Sequence, residues 1–183
     1  GGQGEIDAIM VIGTSLTFYR GYAAHQKLLE QLRAETGLPV STMTEAVVDG
    51  LRSVGAKRVA VATAYSDLVN DRLAEFLRRA GFDVLSMKGF GPTGFGDAAN
   101  QSEQDIIDLS SKAIDEAKTA DAVLISCGGL KTLGCAVPIE QRHGIPVVTS
   151  TQSAFWKALR LAGESGRLPD RGRMLAQASA AEA

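Results

Sequence analysis

The stretch "ADAVLISCGG" at residues 120–129 decides the fold. Its short, unbroken apolar run is the mark of a parallel strand buried on both faces, predicted here over 120–126. It has a near copy upstream, "IDAIMVIGTS" at 6–15. In register, Asp7 falls on Asp121, Ala8 on Ala122 and Gly13 on Cys127. A second echo, "GLPVSTMTEA" (37–46) against "GIPVVTSTQS" (144–153), follows in the same order at nearly the same offset. Two concordant echoes predict an internal duplication, far longer in period than a solenoid repeat. Ligands of open α/β sheets lie beyond the carboxyl ends of the strands. Two facing halves would therefore set Gly13 and Cys127 on opposite sides of one cleft.

Between the echoes, strand and helix signals alternate. Helices are expected over about 22–36 (stopped by Gly37), 44–55 (capped by Thr44), 66–81 (capped by Ser66, ended by Gly81), 102–118 (capped by Ser102), 134–143 and 151–163. In the helix at 66–81, Leu68, Val69, Leu73, Phe76 and Leu77 read as the apolar stripe; Val47, Val48 and Leu51 share a face of the helix at 44–55. Strands are expected at 7–13, 39–43, 58–65, 82–90 and 146–150. This alternation predicts an α/β fold of two similar Rossmann-like or flavodoxin-like lobes with parallel sheets, related by a pseudo-two-fold axis. Residues 1–55 read as an incomplete first lobe lacking its N-terminal strands, as if the chain started late, and 56–150 as the second lobe. A helix at 151–165 is expected to pack back on the first lobe, and 166–183 to form a flexible tail.

Composition narrows the function. The 183 residues are 45% hydrophobic and 22% charged, with a formal net charge of -2, enough apolar material for a substantial core. Lys and Arg are scattered among acids rather than striped, so no nucleic-acid partner is expected. No apolar run approaches ~18 residues, so no membrane partner is expected either. The N-terminus does not read as a signal peptide. The two cysteines, Cys127 and Cys135, form no CxxC pair, and a reduced, cytoplasmic enzyme is the resulting expectation. A monomer or small homo-oligomer is expected.

The candidate chemistry gathers at strand ends. Cys127, followed by Gly128, Gly129 and Leu130, offers a thiol as nucleophile or proton donor, beside glycines whose N–H groups can approach an anion. Thr14 and Ser15 end the first strand, and Tyr65 ends "VATAY". Together they supply hydroxyl donors without fixed charge, suited to a carboxylate or a developing oxyanion. Cys135 reads as a small apolar helix residue. His25 and His143 sit on predicted helices away from strand ends, with no ligand spacing, so no metal is expected. Gly89, Gly91 and Gly94 match G-x-G-x-x-G by letter, but Pro92 and the absence of an immediate helix argue against a dinucleotide site. That loop, with Gly94 and Phe95, reads as a lid over the cleft. Arg20 is either a substrate contact or a solvated surface residue, and Phe155 with Trp156 reads as helix packing.

The segments "IGTSLTFYRG" (12–21), "VATAYSDLVNDRLAEFL" (61–77), "SCGGLKTL" (126–133) and "PVVTSTQSAFWKALRLAG" (146–163) resemble the arylmalonate decarboxylases of the aspartate/glutamate racemase superfamily, relatives of maleate isomerase. The resemblance spans residues 5–163. It implies a cofactor-free enzyme with its site between two α/β halves and a small-molecule dicarboxylate substrate. It implies Cys127 as the proton-donating thiol and a carboxylate pocket made of Thr14, Ser15, Tyr65 and the N–H groups of Gly128 and Gly129. Gly13 occupies the position where racemases and maleate isomerase carry a second cysteine. The resemblance also implies a segment before residue 1. Lys131, Phe95 and Ala98 depart from the apolar pattern implied near the cleft, which leaves substrate size open.

The contrast between Gly13 and Cys127 then has a chemical meaning. A racemase removes a proton from one face and returns it to the other, so it needs two opposed acid/base groups. A single donor suffices when the carbanion is made by losing CO2. Decarboxylation to a chiral monocarboxylic acid is therefore expected. The alternatives are a maleate isomerase-type or racemase-type enzyme and an inactive carboxylate-binding fragment. The resting state of Cys127 stays open at this level, because the Gly-rich turn lowers a thiol pKa while apolar walls and a dianion raise it.

Overall fold

The computed structural model describes residues 6–91 and 96–177. β1 (Ile9–Val11) leads through α1 (Thr14–Phe18) and α2 (Tyr22–Thr36) to β2 (Val40–Thr42) and α3 (Met43–Ser53). β3 (Arg58–Thr63), α4 (Asp67–Arg79), β4 (Asp83–Gly89), α5 (Glu103–Ala117), β5 (Ala122–Ser126), α6 (Ala136–His143), β6 (Val147–Thr149), α7 (Ser150–Leu161) and α8 (Arg173–Ala176) follow. All strand pairings are parallel: β1 with β2 in one sheet, and β4-β3-β5-β6 in the other. The fold is α/β with two parallel sheets.

The two sequence echoes coincide in space. Ile9 pairs with Val40, and their echo partners Val123 and Val147 pair with each other. The next two rungs correspond in the same way. Ile9 N–H donates to Pro39 O at 2.9 Å, and Val123 N–H to Pro146 O at 3.0 Å. Thr42 caps α3 by accepting from Glu45 N–H; Thr149 caps α7 by accepting from Gln152 N–H. α3 and α7, the equivalent helices, pack against one another and are tied by Lys157 Nζ to Asp49 Oδ2 at 2.7 Å.

The four-stranded sheet holds the core on both faces, because strand side chains alternate. Val59, Val61 and Leu124 face Phe18, Leu51, Phe76, Leu77 and Trp156. Ala60, Val123 and Ile125 face Ile106, Leu130, Cys135 and Ile139. This two-sided burial explains why β5 reads as a continuous apolar run rather than an alternating one. Asp121 closes the lower edge: its Oδ1 accepts the N–H groups of Lys57 and Arg58 at 2.9 Å each.

Several expectations are corrected. Thr42, not Thr44, caps α3; Thr44 lies inside the helix, buried, and donates to Thr14 O at 2.9 Å. Ser66 stands at the N-cap of α4 without a side-chain capping bond, whereas Ser102 forms a reciprocal capping box with Asp105. Leu68 leaves the α4 stripe and is exposed, as is Phe155, whose neighbour Trp156 is buried. His25, expected away from strand ends, is buried with its Nε2 2.7 Å from Thr42 Oγ1 at the end of β2. Burial pushes the His25 imidazole below its ordinary pKa.

The expected flexible tail is held as far as Gln177; residues 178–183 lie outside the described residues. Met174 and Leu175 join the core. The buried Glu140 carboxylate accepts from Val147 N–H and Arg173 N–H, binding α8 to β6. The stretch reads as loose because its few large apolar residues, Leu168, Met174 and Leu175, make no periodic pattern among polar residues and alanines. Met174→Ala is expected to lower unfolding free energy by about 2–5 kcal/mol, read from urea denaturation.

Candidate active site

Three strand ends converge on one cavity of about 730 Å³. Ile12, Gly13, Thr14, Ser15 and Leu16 line it beyond β1; Ala64, Tyr65, Ser66 and Val69 beyond β3; Cys127, Gly128 and Gly129 beyond β5. Gly96, Ala98 and Ala99 complete the wall. The residues singled out from sequence, Gly13, Thr14, Ser15, Tyr65, Cys127, Gly128 and Gly129, are thus brought together. Gly94 and Phe95 lie outside the described residues. Arg20 is not in the lining; it is exposed beside a separate groove with Lys27 and Gln31. Lys131 lines a second, more apolar cavity of about 430 Å³, with Leu133, Phe155 and Leu168.

Cys127 follows directly on the fully buried Ser126 and is itself half-buried. Burial pushes its thiol above the ordinary thiol range, while the N–H groups of Gly129 and Leu130 pull weakly the other way. The balance left open by the sequence falls on the protonated side. Neither Gly128 nor Gly129 has positive φ; they are small because of space. A Cβ on Gly129 would stand 3.2 Å from Ala98 Cβ, and one on Gly128 3.3 Å from Met43 Sδ.

The chain leaves β1 through Gly13 at φ 114°, a backbone conformation that favours glycine. Among the described residues of the lining, the titratable side chains are Cys127 and Tyr65. Burial pushes the Tyr65 phenol far up, so it too stays protonated. No Asp, Glu, His, Lys or Arg is among those lining residues.

The hydroxyls connect. Thr14 Oγ1 donates to Ser150 Oγ at 3.0 Å, and Ser150 Oγ to Ser126 Oγ at 3.4 Å. Ser126 Oγ lies 3.4 Å from the Tyr65 hydroxyl. Thr17 and Thr44 hold the backbone of this turn, each donating to Thr14 O. Ser126 and Ser150 were not singled out from the sequence. The echoes contain a signal for both: Ser126 aligns with Ile12 and Ser150 with Met43, polar residues where the upstream copy is apolar. Ile12, Leu16, Val69 and Ala99 were also missed, since nothing in a local pattern marks an apolar residue as cavity wall.

A family model described as arylmalonate decarboxylase matches residues 2–175. An arylmalonate decarboxylase from Bordetella bronchiseptica is 43% identical over 167 residues, covering 91% of this chain and 70% of the relative. A crystal structure of arylmalonate decarboxylase matches with a TM-score of 0.87 at 42% identity, over 92% of this chain and 75% of that one. The liganded form of a mutant with glycine changed to cysteine and cysteine to serine matches at 0.89 and 41% identity, over 92% and 72% of the two chains. Maleate isomerase from Pseudomonas putida S16, solved with maleate, shares the fold at 21% identity and a TM-score of 0.84, over 93% and 70%. The chain belongs to the arylmalonate decarboxylase family and is a homologue of that carboxy-lyase.

Proposed function

We propose that the protein decarboxylates 2-aryl or 2-alkenyl malonates to chiral monocarboxylic acids, with Cys127 as the proton donor. The observation that carries this reading is the acid inventory of the cleft: a protonated thiol at Cys127 and no side chain at Gly13, both in one lining. In the liganded mutant of the related enzyme, the altered glycine and cysteine are as far apart in sequence as Gly13 and Cys127. The same reading takes the two sheets as duplicated lobes facing across the cleft, supported by their matching registers.

In this mechanism the retained carboxylate is held by Thr14, Ser15, Tyr65 and backbone N–H groups. The described lining supplies no cation to the departing carboxylate, so its charge is poorly compensated. The C–C bond breaks, CO2 leaves, and the electron pair passes into an enediolate that the donors stabilise and the aryl group delocalises. Cys127 delivers its proton to the α-carbon from one face. The resulting thiolate regains a proton from solvent. A racemase would require a second group able to hold a proton on the Gly13 side.

The test is phenylmalonate turnover followed by CO2 release, and 2-methyl-2-phenylmalonate turnover followed by product chirality. Cys127→Ser is expected to lose about 10²–10⁴-fold in kcat, the usual scale of a general acid, with little change in melting temperature. Near-normal turnover in that variant would refute the donor assignment. Gly13→Cys places a second thiol opposite the first, and loss of optical purity in 2-phenylpropionate is the expected result. The new Cβ meets Leu16 Cδ1 at 2.8 Å, an exposed side-chain end that can swing away, while φ 114° costs about 1 kcal/mol or more.

The raised thiol also sets a pH profile. Because the protonated form is the active one, kcat is expected to hold through neutral pH and to fall only above the ordinary thiol range. Alkylation requires the thiolate, so iodoacetamide labelling of Cys127 should be slow at neutral pH and accelerate as the rate of turnover falls. Cys135 is fully buried with its thiol pushed up to about 12, and peptide mass spectrometry should find it unlabelled.

A further inference from the structure

We propose that Ser126 and Ser150 are positioning residues that join Thr14 and Tyr65 into one hydroxyl chain, which presents a single O–H to the substrate carboxylate from either end. This deepens the carboxylate-holding role proposed above for Thr14 and Tyr65 and rests on it. Thr14 and Tyr65 line the cleft, whereas Ser126 and Ser150 do not and are 0% and 1% exposed. The two serines therefore act through their neighbours.

The consequence comes from counting protons. Each hydroxyl carries one proton and two acceptor lone pairs. The order Thr14, Ser150, Ser126, Tyr65 is linked by three hydrogen bonds of 3.0, 3.4 and 3.4 Å. Four protons serve three bonds, so one is left over. With Thr14 donating inward, the surplus proton belongs to Tyr65; with the row reversed, it belongs to Thr14. Buried from water and outside the lining, Ser126 and Ser150 cannot exchange their partners for solvent.

Three elements fix the row. Ser126 ends β5, directly before Cys127; Ser150 opens α7, behind the Thr149 cap; Thr14 opens α1. The chain thus connects the carboxylate pocket to the strand that carries the acid. A serine at each interior position also stands where the upstream copy has Ile12 or Met43, so neither is a product of the repeated pattern itself.

Ser150→Ala cuts the row at its middle. We expect about a tenfold fall in kcat with phenylmalonate and a smaller change in KM, since the oriented donor acts most on the developing enediolate. Ser150→Thr restores the hydroxyl and should recover most of the rate. The decisive measurement is a double-mutant cycle. Placed on Tyr65→Phe, which already removes one end, Ser150→Ala should cost less than about threefold. Equal losses in both backgrounds, or no loss from Ser150→Ala alone, would overturn the chain. Should Ser150→Ala fail to fold, the same cycle with Ser126→Ala decides. A wild-type protein that releases no CO2 from phenylmalonate overturns the decarboxylase reading instead. The cycle is then measured on phenylacetate binding by calorimetry, where coupling upholds the chain and additivity or absence of binding overturns it.

Discussion

A strand buried on both faces leaves its polar and reactive groups one place to emerge, its end. β5 lies between β3 and β6, with its backbone paired on both sides and its side chains committed to two apolar layers. The first atoms free to do chemistry are those of Ser126, Cys127 and the glycines beyond. β3, parallel to β5 and beside it, ends at the same cavity, and β1 of the other sheet brings Gly13 and Thr14 to it. The site is a consequence of strand burial; its precision comes from a sheet that cannot slip a residue without turning its core outward.

The same burial selects the kind of acid. A thiol removed from water resists ionisation, and the N–H groups at the turn only partly offset that. A phenol in the same setting behaves alike. Groups that stay neutral at physiological pH hold a carboxylate by hydrogen bonding without cancelling the charge of a second carboxylate nearby. A lysine or arginine in the lining would bind a dianion more tightly and, by stabilising the group about to leave, slow its loss. The absence of cations among the described lining residues is therefore what a decarboxylation, rather than simple diacid binding, asks of a cleft.

How much of this is readable without coordinates depends on the range of the interaction involved. β5 and the Cys127 turn declare themselves in ten residues, because two-sided burial writes a continuous apolar run. The convergence of Gly13 with Cys127 is legible through the echoes, which carry long-range register in local letters. Thr42 as the cap of α3 was missed because Thr44 also fits the pattern, and only the burial of Thr44 against Thr14 decides between them. The hold on Met174 depends on Glu140, some thirty residues away, and leaves no periodicity. Ser126 and Ser150 stay unremarkable until the two copies are laid side by side.

That comparison carries the last step. The two echoes share one strand register, and the residues at which they differ mark where their ends depart from symmetry. At Gly13 and Cys127 the difference leaves a thiol on the second copy only. At Ile12 and Ser126, and at Met43 and Ser150, it puts hydroxyls on the second copy; at Thr14 and Gly128, and at Ser15 and Gly129, it puts them on the first. The thiol and two buried serines thus belong to one copy, and the cleft-lining Thr14 and Ser15 to the other. A reaction that moves a proton between faces would gain from keeping the two ends alike. One that delivers a proton from a single face gains from making them different, and Gly13 against Cys127 is such a difference.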